Sequence, residues 1–461
     1  MSEAVIWRMN IWREKMKEYD VVVIGGGAGG YRAAIELGNG GMKTLLVEKT
    51  KEKIGGVCLN EGCIPTKNYL ESANFALKTS YFKECGLMLE FGGLNLQQLR
   101  EKTIALKNEI RSGVLWLLEQ AKVELLFGTA SFADAHTIEV AGEKISFKKC
   151  IIATGSHSRE LPQLHLVNNR IITSSEIFEL VKMPKSIAIV GVGAIGCEAA
   201  TFFSAFGVEV SLIGRSAQLL SYEDEDISKA LLRAFKKRNI KVISSAVISK
   251  AEVKEDGVEL FIEGGEQIRC ELILVASGRM PHTEGLNLEK AAVELDAKGF
   301  IEVTPSFQSS QSHIYALGDC IATPAFAHTA YAEAKIVAYN IINNKSYVNI
   351  HLSPSAVFCN PPVASCGARE KDARESEALI EVKKAYFKVN SKAKIEGDDS
   401  GFVKLIVNAK SDRVLGVSII GAGATEIIHE LLLAIEKRVT LKELKELIHV
   451  HPTLSEMVSY L

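Results

Sequence analysis

An α/β chain built on two copies of one strand–turn–helix unit, with an α+β domain behind them, is predicted by three observations. The order of apolar strand, glycine-rich turn and helix at residues 21–37 returns at residues 187–206. A length of 461 residues exceeds what one hydrophobic core fills, so about three domains of ~150 residues are expected. Beyond about residue 348 the glycine-rich pattern stops, while apolar strands and helices continue.

The first unit opens with the strand Val21–Ile24, turns through Gly25-Gly26-Gly27-Ala28-Gly29-Gly30, continues as a helix through Tyr31 to Leu37, and ends its second strand, Thr44–Val47, at Glu48. Glycines at Gly25, Gly27 and Gly30 allow a tight turn and a close approach of backbone N–H groups to a pyrophosphate. The terminal acid Glu48 suits ribose hydroxyls. The second unit repeats this with the strand Ile187–Val190, the turn residues Gly191, Gly193 and Gly196, a helix from Glu198 to Phe206 and the strand Val208–Ile213. Two Rossmann-like dinucleotide sites are therefore implied.

Gly25 to Glu48 and Gly191 to Gly214 are both 23 residues apart, so the units superimpose in sequence. The second copy has Gly214-Arg215 in place of the acid. Loss of a carboxylate and gain of a guanidinium suits a ribose 2′-phosphate, which leaves NAD and NADP both open.

Between and after these units, the spacing of Leu99, Leu106, Ile110, Val114, Leu117 and Leu118 predicts a helical hairpin over 69–124. Ala153-Thr154-Gly155-Ser156 follows the strand Cys150–Ile152. Leu272–Val275 leads to Gly278-Arg279, and Ile314–Leu317 leads to Gly318-Asp319 before a helix at 331–342. The strands 401–407 and 414–420 and the helices 424–437 and 441–448 predict the C-terminal α+β layer. Boundaries follow: an extension 1–18, a first nucleotide domain 19–150 resumed at 273–347, a second at 151–272, and the last domain at 348–461. In the extension, Val5, Met9, Trp12 and Met16 fall at helical spacing, which fits either a docked amphipathic helix or a loosely held start.

Composition narrows the class. Hydrophobic residues are 47%, charged residues 24% and the formal net charge −2, so no basic field for nucleic acid exists. No apolar run reaches the ~20 residues of a membrane span, and the N-terminus lacks an export signal, so a cytoplasmic location without membrane association is expected. Of nine cysteines, seven stand alone as small core residues do in a reducing compartment. Cys359 and Cys366 lack the neighbours of a zinc site, and no metal is read. Cys58 and Cys63 form the one spaced pair, just downstream of the first fingerprint, which suggests a flavin exchanging electrons with a disulfide.

With Gly56-Val57-Cys58-Leu59-Asn60, Gly62-Cys63-Ile64-Pro65-Thr66-Lys67, Ala153-Thr154-Gly155-Ser156, Gly278-Arg279-Met280-Pro281, Gly318-Asp319 and His451-Pro452-Thr453-Leu454-Ser455-Glu456 in this order, the chain from Tyr19 to Leu461 resembles the flavoprotein disulfide reductases, and most of all their dihydrolipoamide dehydrogenase branch. The resemblance implies an FAD domain, an NAD(P) domain and a C-terminal dimerisation domain. It places Gly25, Gly27, Gly30 and Glu48 on FAD, Asp319 on its ribityl chain, Ala130, Thr154, Gly155 and Ala327 in the cradle, and Lys67 paired with Glu198 beside the flavin. Gly191, Gly193, Gly196, Arg215, Val247 and Gly278 would line the nicotinamide nucleotide.

It further implies a redox-active Cys58–Cys63 disulfide, with Cys58 exchanging with substrate and Cys63 facing the flavin. His451 would be the base, and Glu456 would hold its other ring nitrogen. Pro452 fits the first turn of a helix that returns Glu456 toward His451, and His449 has no role beyond packing. In the family the C-terminal domain of one subunit of a homodimer carries this histidine to the cysteines of the other. The substrate implied is dihydrolipoamide on an acyltransferase or carrier protein of a 2-oxo acid dehydrogenase or related complex, with NAD as acceptor. Gly214-Arg215 keeps open an NADPH-dependent reductase of a small disulfide. A non-catalytic flavin-binding subunit is the third reading.

Overall fold

The computed structural model describes residues 17–164, 169–348, 352–376 and 379–461, so the helical spacing at Val5 to Met16 lies outside the described residues. Two compact units emerge.

One unit comprises the described residues up to Ile54, Val114–Gly155 and Pro281–Val348. Its seven-stranded sheet runs Glu124–Phe127, Thr44–Glu48, Lys17–Ile24, Glu143–Ile152, Thr137–Val140 and Ala130–Asp134, with Ile314–Ala316 also paired to Glu143–Ile152. Val21, Val22 and Val23 are fully buried, as a central strand covered on both faces requires. The helices Ala28–Asn39 and Ala327–Asn343 pack together over this sheet.

Register then collects the site. Ile24 pairs in parallel with both Val47 and Ile152, and Ile152 with Ala316. The residues that follow, Gly25, Glu48, Ala153 to Gly155 and Leu317 to Asp319, therefore share the carboxyl edge where α/β sheets bind ligands. A Cβ on Gly30 would lie 1.8 Å from Gly25 O, a backbone atom that cannot yield. Gly30→Ala is expected to cost about 2–3 kcal/mol, measurable as a lowered thermal midpoint.

The other unit comprises Gly55–Gly113, Ser156–Met280 and the described residues from 352 to Leu461. A five-stranded parallel sheet runs Lys241–Ile243, Glu209–Ile213, Ser186–Val190, Leu272–Val275 and Ile171–Thr173. An antiparallel three-stranded sheet, Ile248–Lys254, Gly257–Ile262 and Gln267–Cys270, follows in the chain. The helix Cys63–Glu84 packs on Ala194–Ala205, with buried Tyr69 between Phe178 and Phe202 at centroid distances of 5.2 and 5.1 Å.

Past residue 352 the layer is a five-stranded antiparallel sheet, Ser355–Val357, Val363–Gly367, Val414–Gly421, Gly401–Asn408 and Ile380–Tyr386, under the helix Ala424–Glu436. Two of these five strands carry the apolar runs read from the sequence. The others are short or alternate with lysines.

Four local expectations are corrected. The first hairpin helix starts at Cys63, ahead of residue 69, because its opening turn carries Pro65, which a first turn tolerates. The helix expected over 441–448 ends at Lys445. Pro452 precedes the cap residue Thr453 of the 3-10 stretch Leu454–Tyr460 and stands outside it. Among the seven lone cysteines, six are buried and Cys85 is exposed.

Candidate active site

At the carboxyl edge of the first sheet, Gly26 N–H donates to Glu48 Oε2 at 2.7 Å. Burial raises the Glu48 carboxyl above its ordinary range, opposed by that hydrogen bond. Gly128 N–H donates to Glu48 O at 2.9 Å, which brings the segment leading to buried Ala130 to the same edge. Thr154 Oγ1 donates to His282 O at 2.6 Å, and His282 N–H donates to Gly155 O at 2.8 Å. Gly318 N–H donates to Glu333 Oε2 at 2.7 Å and fixes the 3-10 turn that carries Asp319, while Ala327 opens the next helix. No side chain caps the helix at Gly27, and a Cβ on Gly155 would enter open space. Free N–H groups at a helix start, an acid for ribose and open room suit FAD.

The redox segment belongs to the other unit. Cys58 lies in the helical turn Gly56–Asn60, and Cys63 is the first residue of Cys63–Glu84, where the positive helix end favours a thiolate. Both cysteines are free thiols of intermediate exposure. A hydrogen bond from Cys58, assisted by the Lys67 charge, lowers the Cys63 thiol to about 7 against its burial. The same hydrogen bond, and burial, push the Cys58 thiol up. Of the two sulfurs, Cys63 is the one whose thiolate is favoured.

Lys67 Nζ donates to Glu198 Oε1 and Oε2 at 2.9 and 3.0 Å, and Glu198 is buried. Four contacts had no signal in the sequence. Phe358 N–H donates to Glu198 Oε1 at 2.9 Å, and its ring lies 4.6 Å from Lys67 Nζ. Asn60, between the cysteines, accepts from Arg111 at Oδ1 (2.6 Å) and from Lys107 at its carbonyl (3.1 Å).

In the second nucleotide half, Gly191 N–H donates to Ile213 O and Ala276 N–H to Val190 O, both at 2.8 Å. Gly191, Gly214 and the segment toward Gly278 thereby share one edge. Gly196 approaches Gly191 O as Gly30 does Gly25 O, and a Cβ on Gly193 or Gly278 would meet nothing within 4 Å. A Cβ on Gly214 would sit 2.5 Å from both methyls of Val192. The missing acid is therefore one side of an exchange: the first unit pairs a glycine, Gly26, with a large Glu48, and the second pairs a large Val192 with a glycine. Arg215 is exposed beside it, and Val247, 41% exposed, precedes the next strand.

His451 is 69% exposed at its side chain, and its Nδ1 lies 2.9 Å from Glu456 Oε1. Glu456 Oε2 accepts from Thr453 N–H at 2.8 Å, so the carboxylate returns to His451 through the helix cap. That N–H first, and His451 second, hold the Glu456 carboxyl below its usual range. His449 has only 9% of its side chain exposed, with Nε2 3.0 Å from Glu430 and Nδ1 3.0 Å from Ser459 Oγ. Among the described residues no helix is long and apolar enough to cross a membrane, and no group of three His, Cys, Asp or Glu side chains is placed to hold a metal.

Known proteins resemble this chain in sequence and fold. Residues 19–334 match the pyridine nucleotide-disulphide oxidoreductase family, and residues 353–461 match the dimerisation domain of the same family. The dihydrolipoyl dehydrogenase of Geobacillus stearothermophilus is 34% identical over 447 residues, covering 95% of this chain and 94% of its own. The mitochondrial dihydrolipoyl dehydrogenase of Schizosaccharomyces pombe is 36% identical over 451 residues, covering 95% and 88%. The solved structure of the HOCl-induced flavoprotein disulfide reductase RclA from Escherichia coli superimposes with a TM-score of 0.88 at 26% identity, over 96% of this chain and 99% of that one. LpdA from Mycobacterium tuberculosis has the same fold, with a TM-score of 0.89 at 23% identity over 96% and 98%. The chain belongs to the pyridine nucleotide-disulphide oxidoreductase family and is an FAD-dependent disulfide oxidoreductase with the dimerisation domain of that family.

Proposed function

We propose that this enzyme oxidises dihydrolipoyl groups, with NAD as final acceptor, through a disulfide between Cys58 and Cys63. The observation that carries the reading is the placement of Cys58 in one helical turn and Cys63 at the start of the next helix, with Lys67 four residues on and paired to the buried Glu198. A substrate thiol gives its proton to His451 Nε2 and attacks Cys58 Sγ; the Cys58–Cys63 bond breaks, and Cys63 leaves as thiolate. The Lys67 charge and the start of the helix at Cys63, which are present whether or not Cys58 carries a proton, stabilise the leaving thiolate, and a base near neutrality is needed for a thiol of pKa ~8.5. The second substrate thiol then closes the cyclic disulfide and expels Cys58, whose sulfur takes up that thiol's proton and ends as a thiol. Glu456, ionised through the neutral range, orients His451 by accepting from Nδ1–H. Bound FAD supplies the two-electron link between the reduced cysteines and the nicotinamide.

On this reading residues 19–150 and 273–347 form the FAD domain, with Gly25, Gly27, Gly30, Glu48, Ala130, Thr154, Gly155, Asp319 and Ala327 as its ligands. Residues 151–272 take the nicotinamide nucleotide through Gly191, Gly193, Gly196, Arg215, Val247 and Gly278, and residues 348–461 form the dimer. Exposed Leu433, Leu447, Ile448, Val450 and Tyr460 stand in the same C-terminal segment as His451 and fit a second copy that receives this histidine at its cysteines. The partner would be the lipoyl-bearing acyltransferase or carrier of a 2-oxo acid dehydrogenase or related complex, met in the cytoplasm. The full-length similarity to dihydrolipoyl dehydrogenases supports this choice.

Gly214-Arg215 favours a second reading, NADPH-driven reduction of a small disulfide. Steady-state assays separate the two: NAD-linked turnover of dihydrolipoamide supports the first, while NADPH-linked reduction of oxidised glutathione without it supports the second. The Val192–Gly214 exchange adds a prediction. The double change Val192→Gly with Gly214→Glu should raise kcat/KM for NAD over NADP by roughly tenfold, the worth of one charge-assisted hydrogen bond. Gly214→Glu alone should impair both nucleotides, because the new side chain meets Val192.

A further inference from the structure

Phe358 touches both members of the Lys67–Glu198 pair, one through its backbone and one through its ring. The chain just after it is fastened at Asn360 by two helices and by Arg238. Asn360 N–H donates to Thr201 Oγ1 at 3.2 Å, on the helix that carries Glu198; Arg238 donates to Asn360 O at 2.6 Å; and Asn360 Nδ2 donates to Asn74 Oδ1 at 3.3 Å, on the helix that begins at Cys63. Glu198 has only 6% of its side chain exposed, so the Lys67 ammonium is anchored on a buried carboxylate with the Phe358 ring 4.6 Å away. A cation over an aromatic face is held most firmly where water is excluded.

We propose that Phe358 is a positioning residue of the redox centre, whose ring and N–H hold the Lys67 ammonium and the Glu198 carboxylate where the cation acts on the Cys63 sulfur. The inference rests on the reading of Cys58, Cys63 and Lys67 given above. Removing the ring admits water beside Lys67, raises the local dielectric and lets the ammonium turn outward. Each change weakens the field at Cys63. The ionisable groups that interact with the pair or with its neighbours are Cys58, Cys63, Cys197, Cys359, Tyr222 and Arg238, and burial is the first cause that keeps the Tyr222 hydroxyl protonated. Burial is the leading cause that keeps Cys197 and Cys359 as thiols, so neither supplies a competing charge.

The test uses the FAD-loaded full chain with Cys58→Ser, so that Cys63 is the one thiol of the pair, and follows its alkylation by iodoacetamide against pH with peptide mapping. Phe358→Leu is expected to raise the midpoint by about half a unit, roughly a threefold loss of thiolate below the midpoint. Phe358→Trp and Phe358→Tyr, which keep a ring face, should restore the parent midpoint. Flavin absorbance and the thermal midpoint report folding, and Phe358→Met serves as a second ringless variant if the Leu variant fails to fold. An unchanged midpoint in the ringless variants, together with a raised one in Lys67→Met, overturns the role of Phe358 alone. An unchanged midpoint in Lys67→Met as well overturns the assignment of Lys67 to the redox centre.

Discussion

Replacing either Cys58 or Cys63 by Ser is expected to lower NAD-linked dihydrolipoamide oxidation by on the order of a thousandfold while FAD stays bound, because each sulfur has a step the other cannot perform. Without Cys58 no sulfur accepts the substrate thiol. Without Cys63 there is no disulfide to open, and Cys58, whose thiol is raised by its hydrogen bond to Cys63 and by burial, has lost its low-pKa leaving partner. The proposed FAD ligands belong to a different compact unit from the cysteines, so the yellow colour should survive both changes. Steady-state rates with an absorbance spectrum check this. Activity within tenfold of the parent in either variant would contradict the mechanism.

His451→Gln should cost roughly 10²–10⁴ in kcat/KM, the range of a lost general base. The loss should shrink as pH rises toward the ordinary thiol pKa of ~8.5, since more substrate is then already thiolate. Glu456 is held below the usual carboxylate range by Thr453 N–H and then by His451. For a depressed carboxyl, the stabilisation is present above its unfolded pKa and is lost as pH falls through the folded one. Glu456 therefore stays ionised through the neutral range, and Glu456→Gln should lower kcat through ring orientation with less effect than loss of the ring. A pH profile of kcat/KM for the three proteins decides this.

Much of this was legible because local grammar and chain order coincide. Val21–Glu48 and Ile187–Gly214 each carry a complete strand–turn–helix–strand unit, and parallel register at Ile24, Val47, Ile152 and Ala316 does the rest. The start of the helix at Cys63 was hidden by Pro65 in its first turn, and the strands Ser355–Val357, Val363–Gly367 and Ile380–Tyr386 by their brevity or their lysines. Contacts between residues far apart in the chain leave no periodic trace. Phe358 on Lys67, Arg111 on Asn60, Val192 over Gly214 and Glu430 on His449 are all of this kind. The route of Glu456 back to His451 was anticipated, but by way of Pro452; the cap at Thr453 provides it.

The most direct measurement is thiol mapping of the FAD-loaded protein without oxygen: alkylation of Cys58 and Cys63 before dihydrolipoamide, after it, and after a following addition of NAD. The mechanism predicts both cysteines protected at first, both alkylated after dihydrolipoamide, and both protected again once NAD has accepted the electrons. Flavin bleaching with the pair unchanged, or labelling that is the same in all three states, would contradict it.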